Sequence, residues 1–260
     1  MKNPSKLSGV IITFNEEKNI GRCIDSLKGV TDEILVVDSF STDRTEAICI
    51  EKNVRFLQNK FEGHIEQKNF AMRQAEYDYI LSLDADEALN SELEKAIRKE
   101  KEIFNYDSYR FNRLTNYCGK WIKHCGWYPD VKLRIWNRTK GNWGGENPHD
   151  SVEMQNSATT KKLNGDLLHY SFTSVNQHIK TIQSFSEIGA KAAFKKGKHS
   201  NVFSILFNPF FKFLRDYIFK AGFLDGYYGL IICLNSAYAK FLKYTLMYEL
   251  QRSSKRESEI

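Results

Sequence analysis

The sequence lacks the cysteine patterns of a disulfide-stapled or zinc-bound protein. Its five cysteines are odd in number and scattered, and none belongs to a Cys-x-x-Cys pair. This usage argues against a disulfide framework and a zinc site, and it predicts a reducing compartment. We also expect no secretory signal peptide, because residues 1–6 are polar and the apolar run that follows is only about six residues long, shorter than the core of such a signal.

Long apolar runs and glycine-rich phosphate loops are missing as well. No stretch approaches the ~20 apolar residues that are needed to span a bilayer. The sequence has no Gly-x-x-x-x-Gly-Lys-Ser/Thr motif, and its first strand is not followed by Gly-x-Gly-x-x-Gly, so two common ways of holding a nucleotide are absent. A nucleotide would have to be held mainly by side chains and a metal ion.

The chain does have enough apolar residues for one good core with an appended subdomain. It contains 260 residues, of which 42% are hydrophobic, and a second domain of full size is not expected. The net charge of +6 is unevenly placed, because residues 191–256 contain twelve Lys/Arg and three Asp/Glu. The basic end of the chain therefore favours an anionic partner, and the remainder is slightly acidic.

Four strand patterns alternate with three helix patterns in the first 86 residues. The strands are predicted at residues 7–14, 33–38, 54–57 and 79–83, and the helices near residues 20–27, 42–52 and 65–75. The continuous apolar runs suit strands that are covered on both faces in a parallel sheet. We therefore expect an α/β fold, doubly wound, with right-handed crossovers.

Polar and acidic residues lie where three of these strands end. Asn15 and Glu16 follow the first strand, Asp38 ends the second, and Asp84 and Asp86 follow the fourth. Each could be a turn or a helix cap by itself. Parallel strands, however, bring their carboxyl ends to one edge of the sheet, where ligands bind. Two carboxylates there suit a Mg²⁺ or Mn²⁺ ion that also contacts a phosphate, so the joint pattern favours a nucleotide-sugar enzyme over a dehydrogenase or an ATPase.

Three stretches together resemble family 2 glycosyltransferases with a GT-A fold. These are residues 9–16, 33–43 and 83–87, which follow in the order and spacing of that family. Within the family, the chain is similar to bacterial lipopolysaccharide inner-core β-1,4-glucosyltransferases, and this likeness extends over residues 7–250. The resemblance implies a GT-A (Rossmann-like) mixed sheet flanked by helices, with an amphipathic helical subdomain at the C-terminal end.

The chain is also expected to divide into regions. Residues 1–173 would form the catalytic domain, with a nucleotide-binding half at 1–90 and an acceptor half at 91–173. Residues 174–252 would form a helical region that could associate with a membrane, and residues 253–260 a frayed tail.

The resemblance further implies roles for individual residues near the nucleotide. Thr13, Asn15 and Glu16 would line the nucleotide pocket. Asp38 would hydrogen-bond the uracil edge, and Ser39 would border it. These residues would act together as the binding site for a UDP-sugar donor.

The metal site implied by the resemblance centres on Asp86. This carboxylate would bind the Mg²⁺ or Mn²⁺ on the diphosphate, while Asp84 would lie near the ribose. GT-A enzymes commonly place a C-terminal histidine on the metal, and His169 is the candidate here. A lone histidine is more often a structural hydrogen-bonding group, but imidazole is a plausible third ligand beside carboxylate oxygens. The cation would stabilise the negative charge that builds up on the departing UDP.

The catalytic base is expected in the glycine-rich stretch at residues 141–152. An inverting enzyme of this fold needs one acid after the metal motif to deprotonate the acceptor hydroxyl. By position we assign this role to Asp150, with Glu146 as the reserve and Asp130 as a third candidate. The structural alternative for Asp150 is a cap for the segment that begins at Ser151. The glycines beside Trp143 would let the backbone approach a ligand closely.

The middle of the chain contains two strand patterns, at residues 109–114 and 131–136, with an aromatic segment between them. Trp121, His124, Trp127 and Tyr128 belong to this segment. Aromatic rings with polar handles suit a sugar. They equally suit an aromatic mini-core beneath a hairpin, and the sequence leaves both alternatives open.

From Ser174 onward the pattern becomes helical. Apolar residues recur at helical spacing to residue 192, with Ser174 as the N-cap. A lysine cluster then precedes two aromatic-rich apolar runs, at residues 202–214 and 227–234. Such runs fit a helix that lies in a membrane interface, and they also fit a helical hairpin packed on the catalytic domain. We predict membrane association, because anionic lipid attracts basic residues.

The sequence thus predicts an inverting, metal-dependent glycosyltransferase that moves a hexose, glucose by expectation, from a UDP-sugar to a lipid-linked saccharide such as a lipopolysaccharide core. Its expected location is the cytoplasm, peripherally on the inner face of the cytoplasmic membrane. The alternatives are another acceptor (a polyprenyl phosphate, a capsular or teichoic polymer, or a peptide) and a non-catalytic nucleotide-sugar-binding scaffold on the membrane. Nucleic acid is not an expected partner, because the basic residues are mixed with strongly apolar helices.

Overall fold

The computed structural model describes residues 5–146 and 149–258, with side chains for all of these except Glu146, His149 and residues 255–258. The chain forms two compact units. The first contains residues up to Leu114 and the segment from Asp130 to Tyr170. The second contains the segment from Thr115 to Pro129 and the residues after Ser171. The aromatic segment at 115–129, which the sequence placed in the acceptor half, therefore packs with the C-terminal helices.

The described residues form eleven strands and seven α-helices. In chain order these are β1 (Leu7–Thr13), α1 (Ile20–Leu27), β2 (Glu33–Asp38), α2 (Thr45–Glu51), β3 (Arg55–Gln58), α3 (His64–Gln74), β4 (Tyr79–Asp84), β5 (Glu87–Leu89), α4 (Ser91–Lys101), β6 (Ser108–Tyr117), β7 (Lys120–Ile122), β8 (Asp130–Asn137), β9 (Gly141–Glu146), β10 (His149–Met154), β11 (Thr160–Phe172), α5 (Val175–Lys195), α6 (Val202–Leu214) and α7 (Gly226–Ser258). A π-helical turn (Arg215–Phe219) and a 3₁₀ turn (Gly222–Asp225) connect α6 to α7. The predicted alternation of strands and helices before residue 86 is confirmed.

The main sheet is mixed, as the resemblance implies. Its strand order is β3-β2-β1-β4-β8-β6-β11-β5. The first four strands are parallel, and β8 is antiparallel to both β4 and β6. In the register, Thr13 lies beside Asp38 and Ile12 lies beside Asp84. The carboxyl ends of β1, β2 and β4 therefore meet at one edge, as the sequence predicts.

Both faces of β1, β2 and β4 are buried, which explains their continuous apolar sequences, whereas the edge strand β3 is partly exposed. On one face, Ile11 and Leu83 pack with Leu27 of α1 and Leu93 of α4. On the other, Val10 and Leu35 pack with the helix α3. Helix α1 approaches β1 closely at Gly9, because a Cβ atom there would lie 2.9 Å from the Leu27 side chain.

The second unit has its own aromatic core. The Trp127 ring lies 5.8 Å from the Tyr117 ring and 5.7 Å from that of His178, measured between ring centroids. The mini-core alternative is therefore correct for Trp127. Ser174 caps α5 by accepting a hydrogen bond from the backbone N–H of Gln177 at 3.2 Å, so the predicted start of this helix is confirmed.

Within the described residues, no single helix is long and apolar enough to cross a membrane. The two helical stretches Val202–Phe219 and Gly222–Ser254 meet the length and composition criteria only together, and they are bent by 71° at the break between them.

The buried His178 should make stability depend on pH. Its Nδ1 lies 3.0 Å from the Tyr117 hydroxyl and 3.2 Å from Asn235 Nδ2. Burial lowers the pKa of His178 from 6.5 to about 4. Because the unfolded chain takes up a proton below pH 6.5 and the folded chain does not, stability is lost as the pH falls toward 4. We expect a loss of about 2 kcal/mol between about pH 7 and 5, measured by urea unfolding.

The matched control for this prediction is the exposed His199, whose Nδ1 lies 2.7 Å from Gln251 Nε2. The variant His178→Gln should be less stable at neutral pH but should lose less stability on acidification. His199→Gln should retain the wild-type pH dependence. Equal pH dependence in His178→Gln and the wild type would assign the titration to another group.

Candidate functional site

Asp86 and His169 meet at the edge of the sheet where the parallel strands end. Asp86 follows β4, and His169 lies on β11 opposite Glu87 of β5. The backbone N–H of Tyr170 donates to the Asp86 carbonyl at 2.9 Å, which ties β11 to this turn. As a result, His169 Nε2 lies 3.2 Å from Asp86 Oδ2. The two residues predicted as metal ligands are thus adjacent, although 83 positions separate them in the sequence.

This pair fits a divalent cation that shares its remaining positions with a phosphate. Two ligands bound at about 2.1 Å and at a right angle lie about 3 Å apart, close to the separation seen here. In the part of the chain that the structure describes, no group of three or more His, Cys, Asp or Glu side chains is arranged to hold a metal. A cation on Asp86 and His169 would therefore bind several further oxygens from substrate or water, as Mg²⁺ and Mn²⁺ usually do.

Asp84 has a different environment from Asp86. Its carboxylate lies 3.0 Å from Lys68 Nζ and 3.1 Å from Arg134 Nη2. Burial alone would raise the pKa of Asp84, but the charges of Lys68 and Arg134 hold it well below its usual range. Arg134 also pairs with the buried Glu87 at 2.9 Å. Asp84 and Asp86 are therefore not equivalent, since Asp84 belongs to an ion-pair network and Asp86 faces a histidine.

Lys68 connects Asp84 to the proposed base. Its side chain is only 4% exposed, and its Nζ lies 2.7 Å from Asp150 Oδ2. The same ammonium lies 4.4 Å from the centre of the Trp143 ring, at the distance of a cation–π contact. Lys68, Asp84, Trp143 and Asp150 line a cavity of about 480 Å³. This volume suits a small ligand or part of a substrate.

The loops after β1 and β2 are held together by hydrogen bonds. The backbone N–H of Asn15 donates to Ser41 Oγ at 2.7 Å, and Asn15 Oδ1 accepts from the Thr42 N–H at 2.8 Å. Asn15 has a left-handed backbone (φ 54°), which asparagine tolerates better than most residues. The Glu16 N–H donates to Thr45 Oγ1 at 2.9 Å. These contacts fix the shape of the loops that are predicted to hold the nucleotide.

Thr13 and Glu16 are also at this edge. The Thr13 hydroxyl is buried and has no hydrogen-bond partner among the described residues, which is uncommon for a buried polar atom and is compatible with a ligand contact. Burial raises the pKa of Glu16, and the nearby charges of Asp86 and Asp84 act in the same direction. Glu16 therefore lies close to Asp86, as the convergence of strand ends requires.

Asp38 and Ser39 are engaged by neighbouring residues. The Asp38 carboxylate is fully buried and accepts hydrogen bonds from both the N–H and the hydroxyl of Ser41. Ser39 Oγ accepts from Nε2 of the buried Gln67 at 3.0 Å. In this structure Asp38 shapes the loop after β2, and its contact with uracil stays a prediction.

The hairpin of β9 and β10 carries Asp150. Asp150 lies opposite Gly145 in a strand, so the alternative that it caps a helix is wrong. A Cβ atom on the nearby Gly144 would meet the Glu153 side chain, so the neighbouring strand takes up the space that this glycine leaves. Glu146, the reserve base, has its side chain outside the described part of the chain.

Asp130 is less suited than Asp150 to act as a base. Its carboxylate lies 2.8 Å from Arg113 and 3.1 Å from Lys132. Burial alone would raise the pKa of Asp130, but these two cations lower it. Asp130 is also absent from the residues that line the cavity beside Asp150.

Four residues of the site were not predicted from the sequence: Lys68, Arg134, Gln67 and Arg22. Arg22 lies on α1, and its guanidinium stacks at 3.7 Å over the ring of Tyr170, the neighbour of His169. Lys68 and Gln67 lie on α3, one helical turn before the buried Met72 and Ala71. That i, i+4 relation to two apolar residues is the signal that could have identified them as inward-facing.

Several known proteins are similar to this chain in sequence. Residues 8–203 match the family model described as glycosyl transferase family 2. An uncharacterized glycosyltransferase of Rickettsia typhi is 30% identical over 260 residues, covering 96% of this chain and 89% of the relative. The lipopolysaccharide core biosynthesis glycosyltransferase LpsC of Rhizobium meliloti is 28% identical over 258 residues, covering 94% of this chain and 92% of the relative.

Solved structures are also similar to this chain. Residues 1–349 of S. aureus TarS, in complex with UDP, match 95% of this chain and 92% of that one, with a TM-score of 0.45 and 17% identity. The family model alone covers well over half of the sequence. The chain therefore belongs to glycosyltransferase family 2.

Proposed function

We propose that this glycosyltransferase transfers a hexose, glucose by preference, from a UDP-sugar to a lipid-linked saccharide with inversion at the anomeric carbon. The observation that carries the proposal is the 3.2 Å approach of His169 to Asp86 at the edge where β1, β2 and β4 end. A nucleotide diphosphate bound at this edge would meet the pair that can share a cation with it.

In this proposal the chain's own residues hold the donor. Thr13, Asn15 and Glu16 would line the nucleotide pocket, and Asp86 and His169 would hold Mg²⁺ or Mn²⁺ beside the diphosphate. The cation, when bound, would stabilise the charge on the UDP leaving group. Asp84 would contact the ribose directly or through water, since its carboxylate is 30% exposed while it pairs with Lys68 and Arg134.

Asp150 would act on the acceptor. Its carboxylate borders the cavity that Asp84 and Trp143 also line, so an acceptor hydroxyl there could lie between the base and the donor sugar. Deprotonation of this hydroxyl would occur as its oxygen attacks the anomeric carbon. One carboxylate is enough, because the leaving UDP needs no proton from a second one.

We further propose that the acceptor is carried by lipid and that the enzyme works at the cytoplasmic face of the membrane. Support for a lipopolysaccharide core as acceptor comes from the Rhizobium relative LpsC, a lipopolysaccharide core biosynthesis glycosyltransferase that is 28% identical to this chain over 258 residues. Polyprenyl-phosphate, polymer and peptide acceptors are the alternatives, and incubation of each with labelled UDP-sugar separates them.

A screen of nucleotide sugars by thermal unfolding tests the donor and the metal together. We expect UDP-glucose with Mn²⁺ to raise the Tm by about 5 °C at a concentration about one hundred times its Kd, because a ligand that binds only the folded state stabilises it by mass action. The shift should be much smaller without Mn²⁺ or with ADP-glucose.

The same samples distinguish an enzyme from a binding scaffold. Slow hydrolysis of UDP-glucose that requires Mn²⁺ supports a catalytic protein with the proposed donor. A Tm shift without any turnover, in the presence of all candidate acceptors, supports the scaffold. Stabilisation by ADP-glucose alone would overturn the choice of UDP as the nucleotide.

A further inference from the structure

The helical unit exposes a strongly apolar stretch at residues 202–227, which we call the exposed apolar segment. Helix α6, which makes up its first half, has no buried residue. Within the exposed apolar segment, the side chain of Phe203 is 72% exposed, that of Leu206 61%, that of Phe211 61% and that of Phe219 80%. Single exposed apolar residues are ordinary, but a contiguous apolar patch of this kind marks a surface that contacts another molecule.

The aromatic rings of α6 form a continuous strip. Phe203 and Phe207 stack with ring centroids 5.8 Å apart, and Phe207 and Phe211 follow at 6.4 Å. This i, i+4 spacing runs along one side of the helix. The strip therefore covers about two turns of α6 without a charged residue, as the sequence from Phe203 to Phe211 shows.

The charge around the segment is of one sign. Residues 188–248 contain nine Lys/Arg and only two acids, Asp216 and Asp225. Both acids are buried. Asp216 pairs with Lys212 at 2.6 Å and with Arg215 at 2.9 Å, and Asp225 contacts His124 at 3.1 Å. The charges that this part of the chain presents to solvent are therefore positive.

Several of these cations lie close to one another. Burial lowers the pKa of Lys240 on α7, and the positive charges of Lys243, Lys212 and Arg215 lower it further. Asp216 opposes this effect only in part. A group of cations that repel one another beside an apolar strip is complementary to a surface that is anionic at its boundary and apolar beneath it.

We propose that the exposed apolar segment lies in the interface of an anionic phospholipid bilayer, with its aromatic side chains among the acyl chains and its Lys and Arg residues at the lipid phosphates. This inference names the membrane contact and depends on the proposed function only for its biological purpose. Lying in the interface suits the segment better than spanning, because a span would have to bury Lys212, Arg215 and Asp216 in the middle of the bent helical pair.

A second copy of the chain is a poorer occupant of this surface. A twofold interface would bring the same surface of both copies together. The Lys and Arg residues around the exposed apolar segment would then face one another, and like charges in contact oppose association. A bilayer that contains anionic lipid supplies both the apolar interior and the opposite charge.

Flotation of the full chain with lipid vesicles tests the proposal. We expect binding to vesicles of phosphatidylcholine and phosphatidylglycerol, and about tenfold or more weaker binding to pure phosphatidylcholine. High salt should weaken the binding, because it screens the lysines from the lipid phosphates. Salt-independent and lipid-independent binding, or no binding to either vesicle, would overturn the proposal.

Two sets of variants assign the contact to the segment. The triple variant Phe203→Ser, Phe211→Ser and Phe219→Ser should bind the anionic vesicles about tenfold or more weakly. Its matched control replaces three exposed apolar residues of the first unit, Ile50, Phe61 and Ile103, with Ser and should bind as the wild type does. Equal effects of the two triple variants would show that the segment is not the contact.

The charge variants use exposed lysines. Lys198→Glu with Lys220→Glu should weaken binding to anionic vesicles about tenfold or more and leave binding to pure phosphatidylcholine unchanged. The control pair, Lys95→Glu with Lys99→Glu on α4, should have no such effect.

Light scattering on the same proteins measures their mass. A dimer that the triple Phe variant dissociates, in a protein that ignores vesicles, would assign the surface to a second copy instead.

These experiments separate the membrane contact from catalysis. All substituted residues lie outside the candidate site, so Mn²⁺-dependent hydrolysis of UDP-glucose in buffer without vesicles should be the same in the variants and the wild type. Vesicle binding without any turnover would leave the membrane proposal intact and would count against the proposed function. Turnover without vesicle binding would support the proposed function and would count against the membrane proposal.

Discussion

Replacement of Asp86 with Ala is expected to lower turnover of UDP-glucose by about a thousandfold or more, with little change in the Tm. The loss follows from the cation's contribution to leaving-group stabilisation, which is several kcal/mol. The fold should survive, because among the described residues the Asp86 side chain forms an ion pair with His169 alone, while the hydrogen bond from the Tyr170 N–H goes to the Asp86 backbone carbonyl. Labelled donor and thermal unfolding measure the two effects.

The control is the other acid of the motif. Asp84→Asn removes a charge that pairs with Lys68 and Arg134, so it should lower the free energy of unfolding by about 2 kcal/mol, less than for a fully buried pair because the carboxylate is 30% exposed. Asp86→Ala should not destabilise the protein to this extent. Wild-type turnover in Asp86→Ala would remove the metal site from this position.

A Mn²⁺ titration makes the Asp86 result specific. If Asp86 and His169 share the cation, His169→Ala should require more Mn²⁺ for half-maximal turnover but should retain more activity than Asp86→Ala. A carboxylate contributes charge to the cation, whereas a neutral imidazole contributes only a donor atom. The same Mn²⁺ requirement in His169→Ala and the wild type would leave His169 with a structural role beside Asp86.

The fold of residues 7–84 could be predicted from the sequence, because local patterns determine it. The apolar run of β2 is typical of a strand that is buried on both faces in a parallel sheet, and Asp38, Asp84 and Asn15 mark the ends of their strands without reference to distant residues. Parallel pairing then places these ends at one edge, so a one-dimensional pattern is enough to locate the site.

The ion-pair network of the site could not be predicted in this way. Lys68 lies on α3, whose sequence places Gln67 and Lys68 on the buried side. A polar residue in a helix is usually assigned to the solvent side, and only its partners explain its burial. Those partners, Asp84 and Asp150, lie 16 and 82 positions away. The contacts of Arg134 could not be predicted either, because the alternating pattern of strand β8 does not reveal that the Arg134 side chain pairs with Asp84 and Glu87.

The second large effect is expected at Asp150. The variant Asp150→Asn should lower turnover with acceptor by about 10² to 10⁴-fold, the range of general base catalysis, while the Tm shift caused by UDP-glucose with Mn²⁺ stays close to that of the wild type. An asparagine oxygen can still accept a hydrogen bond from Lys68, so the fold and the cavity should be retained. Initial rates at saturating donor measure the effect.

Two matched variants decide which acid is the base. Asp130→Asn should keep turnover within about tenfold of the wild type, because Asp130 pairs with Arg113 and Lys132 and does not line the cavity. Glu146→Gln tests the reserve candidate. Full activity in Asp150→Asn together with a large loss in either of the other variants would transfer the role of base to that residue.

A substitution of Lys68 gives a further test of whether Asp150 is the base. The Lys68 ammonium lies 2.7 Å from Asp150 and 3.0 Å from Asp84, so it connects the acid assigned to the acceptor with the acid assigned to the donor. If Lys68 positions Asp150 as the base, Lys68→Met should lower turnover with acceptor by about tenfold or more in the wild-type background. The same substitution should cause little further loss in Asp150→Asn, because the carboxylate that Lys68 positions is already gone. A purely structural Lys68 would lower the Tm and the turnover by the same factor in both backgrounds, so the non-additivity of the two substitutions, and not the activity of either variant alone, identifies the base.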